Sequence, residues 1–213
     1  MPAVLKFPSE VNILKKEWYN NWYKLRTYFM AFILVDMPLQ VMFVLSYLIG
    51  SFLLSGQILE WIRLSKVFLV MFLSSVIASS MGIFFGTIVN PINGTFLGAI
   101  MLALMLVVAG FLILFNHMSA TMYLLSYISY ISYAISALVQ AIYINRGTIP
   151  CPEDVEYCPY SVSVEFLKEM GMDKTNFWGD IAFLFLNIIA LRIISFCTLK
   201  TPYQEYNGLK CYM

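Results

Sequence analysis

Four stretches of the chain are apolar for long enough to cross a bilayer, which takes about 20 residues. They cover residues 28–54, 67–89, 96–115 and 177–199. A fifth stretch, 117–144, contains no Asp, Glu, Lys or Arg, yet it alternates serine and tyrosine through Ser126, Tyr127, Ser129, Tyr130, Ser132 and Tyr133. That pattern is wet for a helix facing lipid. Topology arbitrates, because a full crossing here would reverse the side on which everything downstream lies. Lys6, Lys15, Lys16, Lys24 and Arg26 precede the first span, and an excess of basic residues marks the cytoplasmic side. The first span then exits, the second returns and the third exits again. If 117–144 enters and leaves on one side, the acidic loop 145–176 is extracellular and its Cys151 and Cys158 can oxidise. If it crosses, those cysteines face a reducing compartment. The re-entrant path is the preferred reading.

The predicted fold is therefore all-α and integral to the membrane, with four transmembrane helices plus a re-entrant helical hairpin. A cytoplasmic segment, 1–27, precedes the membrane part, 28–199, and a cytoplasmic tail, 200–213, follows it. Asn93-Gly94-Thr95 fits the glycosylation pattern, but this topology puts it in a cytoplasmic turn, so it is expected to be unmodified.

Composition narrows the classes. Of 213 residues, 61% are hydrophobic and 12% charged, against roughly 25% charged in an ordinary soluble domain. Mean hydropathy is +0.78. A soluble chain of this size has too little interior to hide so much apolar surface, so lipid serves as solvent. The net charge of +1 and the lack of a basic stripe exclude nucleic acid as a partner. Residues 1–17 lack an uninterrupted apolar core and make no cleavable signal peptide.

Several short motifs follow one another in a specific order. Phe7-Pro8-Ser9-Glu10, Lys16-Glu17, Asn21-Trp22-Tyr23 and Asp36-Met37-Pro38-Leu39-Gln40 are followed by Ala109-Gly110-Phe111, Tyr127-Ile128-Ser129-Tyr130, Cys151-x6-Cys158 and Leu191-Arg192. The run resembles the white, or G-subfamily, ABC half-transporters, above all the members that export sterol and phospholipid. The resemblance implies a fragment of a type II exporter-like membrane domain whose helices three to six are the four spans here. Helices one and two and the nucleotide-binding domain would lie outside this sequence. No G-x-x-x-x-G-K-[ST] phosphate cradle occurs, so no ATPase residues are expected in this chain, and ATP and Mg would belong to the other domain.

Candidate residues follow from both lines of reading. Glu10, Glu17 and Lys24 lie on a charged segment that the resemblance makes a coupling helix; the plainer alternative is a basic cluster touching anionic lipid. Asp36 lies in an apolar run, where a carboxylate is costly unless paired or wet, and serves either a structural pair or a gate. Pro38 after it can kink the helix. Ala78, Gly82 and Gly86 form a ridge of small residues, expected to pack within one subunit. By resemblance, Phe111 and Leu112 form an apolar extracellular gate, and Leu102, Ala103, Met105 and Leu106 line the substrate cavity. Composition alone would turn these residues to lipid. Cys151 and Cys158 enclose a short loop that can close a disulfide. They make no zinc site, since the one histidine, His117, lies in another loop. Cys197 reads as core, and Cys211 near the inner membrane face is a weak acylation candidate.

The expected function is the transmembrane part of an ATP-dependent exporter of sterol, lipid or another apolar small molecule. It would act as a homodimer or a heterodimer with another G-subfamily half-transporter, in the plasma membrane or an endomembrane. The alternative is a non-transporting membrane protein that pairs with full half-transporters and modulates them. A small channel fits poorly: apart from Asp36 and Arg192 the spans are read as lacking charges, and no pore-lining ring is evident.

Overall fold

The computed structural model describes Val4, Leu14, Glu17, residues 24–55, 60–110, 112–114, 117–144, 167–168, 170–171 and 176–200, and the backbone of 201–210. Among these residues every regular element is a helix. They are α1 (Leu25–Ser55), α2 (Trp61–Ile88), α3 (Pro91–Val107), α4 (Ala120–Ser126), α5 (Tyr130–Tyr143) and α6 (Phe177–Lys210). Three are long and apolar enough to cross a membrane: α1, α2 and the Phe177–Lys200 part of α6. A fourth is gained if α4 and α5, bent by 81° at their junction, form one broken span. The same bend suits a re-entrant path.

α3 is the element that departs most from the sequence reading. It opens at Pro91, a residue suited to the first helical position because its missing N–H would be unpaired there anyway. It stops at Val107, short of residue 115. With 17 residues it rises about 25 Å. The stop is made by Gly110, whose φ of 83° is the left-handed conformation a side chain resists and glycine adopts freely. Its orphan carbonyls find partners: Val108 N–H donates to Leu104 O at 3.3 Å, and Ala109 N–H to Leu106 O at 3.3 Å. Ser129 supplies a third donor, its hydroxyl reaching Met105 O at 3.0 Å.

Burial separates the long helices. The most apolar window of α2 is 50% buried, whereas those of α1 and α6 are 11% buried. α2 therefore faces protein, while α1 and α6 turn apolar side chains such as Met42, Phe43, Leu186 and Ile193 outward. In lipid no water is available for stray hydroxyls, and most here are satisfied within their own helix. Ser51 donates to Leu48 O at 3.1 Å, Ser80 to Val76 O at 2.7 Å, Thr95 to Ile92 O at 2.7 Å and Ser195 to Leu191 O at 2.7 Å.

The chain divides into two compact units. The first comprises Met1–Tyr47, Ser75–Met101 and Leu186–Met213. Its core joins Leu14, Phe29, Ile83 and Leu199, with Phe29 and Phe196 rings 5.5 Å apart. Gly82 and Gly86 of the small-residue ridge are buried, so this ridge packs within the chain. Gly94 allows another close approach: a Cβ there would meet the Val4 side chain at 3.0 Å.

The second unit comprises Leu48–Ser74 and Leu102–Phe185. Leu48, Val67 and Ala141 form one core cluster, and Val139 with Leu167 another. The buried face of α5 is built from small and hydroxylic residues, including Ser132, Ala134, Ser136, Ala137 and Ala141. Small side chains permit close helix contact without a water-driven hydrophobic effect. Trp61 and Trp178, 85% and 72% exposed, stand at the starts of α2 and α6. Glu60 and Arg63 pair at 3.2 Å, and Lys66 lies 5.4 Å above the Phe177 ring. Exposed tryptophan with charged residues is the composition of a membrane–water boundary.

Candidate functional site

Among the described residues each unit holds a polar cluster in apolar surroundings. In the first unit the cluster is centred on Asp36. α1 runs unbroken through Pro38, and Gln40, one turn after Asp36, donates from Nε2 to Asp36 Oδ2 at 3.3 Å. Ser79 of α2 donates to the same oxygen at 2.7 Å, which ties α1 to α2. Unlike its neighbour Ser80, Ser79 spends its hydroxyl on another helix. Arg192 of α6 lies close enough for its charge to interact with Asp36. One guanidinium nitrogen, Nη1, is fully buried with no hydrogen-bond partner among the described residues. A carboxylate and a guanidinium that share an apolar interior each lower the cost of the other's charge. Asp36 thus accepts hydrogen bonds from α1 and α2 and feels the charge of Arg192 on α6.

In the second unit the cluster is centred on Asp180, in the first turn of α6 and 6% exposed. Gln140 Nε2 donates to Asp180 Oδ2 at 3.1 Å and to Ser136 Oγ at 3.1 Å, and the Ser136 hydroxyl in turn bonds the carboxylate. Ser132, Ser136 and Gln140 recur at four-residue steps, so one stripe of α5 carries all three. Beside them opens a pocket of about 100 Å³, lined by Tyr123, Tyr127, Tyr133, Ser126, Ser132 and Ser136 together with Gly171 and Asp180. The Tyr127 hydroxyl bonds that of Tyr123 at 3.1 Å, and their rings meet edge to face at 5.3 Å. Tyr133 stacks on Phe183 with centroids 3.8 Å apart.

The residues proposed from the sequence are distributed unevenly. Leu102, Ala103 and Leu106 are exposed along α3 and Met105 is half-buried. Leu112 is 57% exposed. Lys24 is exposed at the start of α1, where its carbonyl accepts the N–H groups of Thr27 and Tyr28, and Glu17 is half-buried. Glu10, Phe111, Cys151 and Cys158 lie outside the described residues. Cys197 differs from expectation: it is exposed, because it falls on the outward face of α6 rather than among the packed residues around Phe196. Among the described residues no group of three His, Cys, Asp or Glu could hold a metal ion. Asp180 and its partners were missed. Part of the signal was available, since Asp180 is an ionisable residue inside the 177–199 span, but its pairing with Ser136 and Gln140 appears only once the helices are packed.

Residues 1–143 match the family model described as ABC-2 type transporter. The chain belongs to this family of transporter membrane domains. The relatives it resembles are G-family members. ABC transporter G family member 14 of Arabidopsis thaliana is 24% identical over 92% of this chain and 30% of its own length. ABC transporter G family member 1 of Dictyostelium discoideum is 24% identical over 93% of the chain and 26% of its own length. ABC transporter G family member 22 of Arabidopsis thaliana is 23% identical over 93% and 24%. The chain thus spans less than a third of the length of the relatives it matches. It is a multi-pass membrane protein, and the segment it supplies is a transporter's transmembrane part.

Proposed function

We propose that this chain forms part of the path of an ATP-driven exporter of sterol, lipid or another apolar small molecule. The observation that carries the reading is the transporter-family match over residues 1–143, laid on helices whose outward faces are apolar. ATP hydrolysis is assigned to a nucleotide-binding domain outside this sequence, coupled through the segment holding Glu10, Glu17 and Lys24. Leu102, Ala103, Met105 and Leu106 are assigned to the cavity wall, with Phe111 and Leu112 closing it outward. The exposure of α3 supports this wall, because a cavity shared by two membrane domains leaves such residues uncovered in one chain. Dimerisation, with a second copy or another G-family subunit, completes the path, and a bond between Cys151 and Cys158 secures the outer loop.

The test is reconstitution of the protein together with its nucleotide-binding domain in proteoliposomes, following a fluorescent sterol and a fluorescent phospholipid. ATP-dependent movement between leaflets, lost on Leu106→Arg and Phe111→Arg, is the expected outcome. If ATP moves neither probe, the export reading fails. Suppression of a co-reconstituted half-transporter by the same protein would then favour the modulator.

A further inference from the structure

We propose that the Asp180 pocket is a receptor for a quaternary ammonium group, the trimethylammonium end of a phosphocholine lipid headgroup at the membrane boundary. Size is the first argument. A pocket of about 100 Å³ exceeds the ~10–15 Å³ that one water needs and falls short of the ~300 Å³ at which pockets for whole drug-sized ligands begin. It therefore takes one small group, not an entire lipid.

Charge and shape decide which group. Asp180 supplies one carboxylate, and no Lys, Arg or His is among the described lining residues. The donors on Asp180 are neutral: the Gln140 amide and the Ser136 hydroxyl. The described lining is thus biased toward a cation and includes none. Three tyrosines line the pocket beside the serines and Gly171. Tyr123 and Tyr127, with planes at 82°, form a corner, and Tyr133 is held in place by stacking on Phe183. Ring faces attract a cation within about 6 Å of their centres, most strongly where water is excluded. A quaternary ammonium has no N–H to satisfy, so it suits a carboxylate whose oxygens already accept hydrogen bonds. The ring faces add an attraction to the cation that needs no N–H donor.

Position supplies the source. Asp180 lies two residues beyond Trp178, which is 72% exposed at the start of α6. Exposed tryptophans sit at the level of the lipid headgroups. Tyr127 and Tyr123, 52% and 44% exposed, leave the pocket accessible from outside the chain.

The experiment measures binding of radiolabelled choline to the full protein in nanodiscs without nucleotide, which separates it from the export reading. Choline is compared with 3,3-dimethyl-1-butanol, its neutral carbon analogue, in phosphatidylglycerol nanodiscs. Choline binding at least tenfold tighter than the analogue is expected, with a tenfold or greater loss in Asp180→Asn and in Tyr127→Leu. Tyr127 is half exposed, so its variant retains the test if Asp180→Asn fails to fold. Phosphatidylcholine nanodiscs should abolish choline binding by filling the site. Equal affinity for the neutral analogue, or unchanged binding in either variant, overturns the proposal. Undiminished choline binding in phosphatidylcholine assigns the pocket to a soluble cation and overturns the headgroup.

Discussion

The clusters around Asp36 and Asp180 use the same parts to different ends. Both place a carboxylate in apolar surroundings, and both give it a side-chain hydroxyl and a glutamine amide. Asp36 also has Arg192 from a third helix, so its charge is answered within the chain. Asp180 has neutral donors and faces a pocket. A carboxylate matched by a counter-charge contributes to holding helices in register. One left with neutral donors beside an opening is placed to meet a charge from outside. The distinction lies in the partners rather than in burial, and it can be broken by substitution.

The largest effect is expected at the charge pair. Asp36→Leu takes an opposite charge from Arg192 and an acceptor from Ser79 and Gln40 at once, and is expected to cost about 3 kcal/mol. Thermal or denaturant unfolding in detergent should show that loss, and the double variant Asp36→Leu with Arg192→Leu should recover part of it. If the two changes simply add, the charges are not coupled and the contrast with Asp180 collapses. Next comes the hydroxyl that joins the helices. Ser79→Ala removes a 2.7 Å hydrogen bond to a carboxylate, worth about 2 kcal/mol, and leaves Gln40 and Arg192 to hold Asp36. Asp180→Asn should be milder, about 1 kcal/mol or less on the same unfolding assay, since an amide oxygen still accepts from Gln140 and Ser136 and no counter-charge among the described residues is stranded. A loss as large as that of Asp36→Leu would make Asp180 a structural residue.

Much of this architecture was legible in the sequence, for reasons that also explain what was not. The long apolar runs of α1, α2 and α6 announce themselves because hydrocarbon thickness sets a length that few soluble helices combine with such composition. The serine and tyrosine repeat of 117–144 pointed to an element that does not cross as a simple span, and α4 and α5 bend there by 81°. The end of α3 was harder, because Val108 to Phe115 is as apolar as the helix before it and the stop depends on one glycine conformation. Asp36 stood out because it interrupts an apolar run. Asp180 did not: it lies near the start of its span, beside an acidic loop, where a carboxylate looks ordinary. Its significance comes from Ser136 and Gln140, 40 or more positions earlier in the chain, and such pairings are invisible until helices are packed. The exposed outer face carrying Cys197 was hidden for a related reason, as α6 is apolar on every side and periodicity gives no facing.

The smallest effect is the most discriminating, because it concerns adjacent serines on one helix. Ser80 is fully buried and Ser79 nearly so, which makes burial a poor guide to either. The Ser80 hydroxyl donates at 2.7 Å to Val76 O, a carbonyl that the helix ladder already engages. Ser80→Ala therefore strands no polar group and deletes one small atom, and its unfolding free energy should stay within about 0.5 kcal/mol of the parent. Ser79→Ala removes the same atom but takes a donor from Asp36. If the adjacent variants behave alike, cross-helix hydrogen bonding contributes no more than local bonding in this bundle, and the Asp36 cluster is reduced to its charges. If Ser79→Ala alone weakens the fold, the hydroxyl is the link through which α2 fixes the carboxylate before Arg192 meets it.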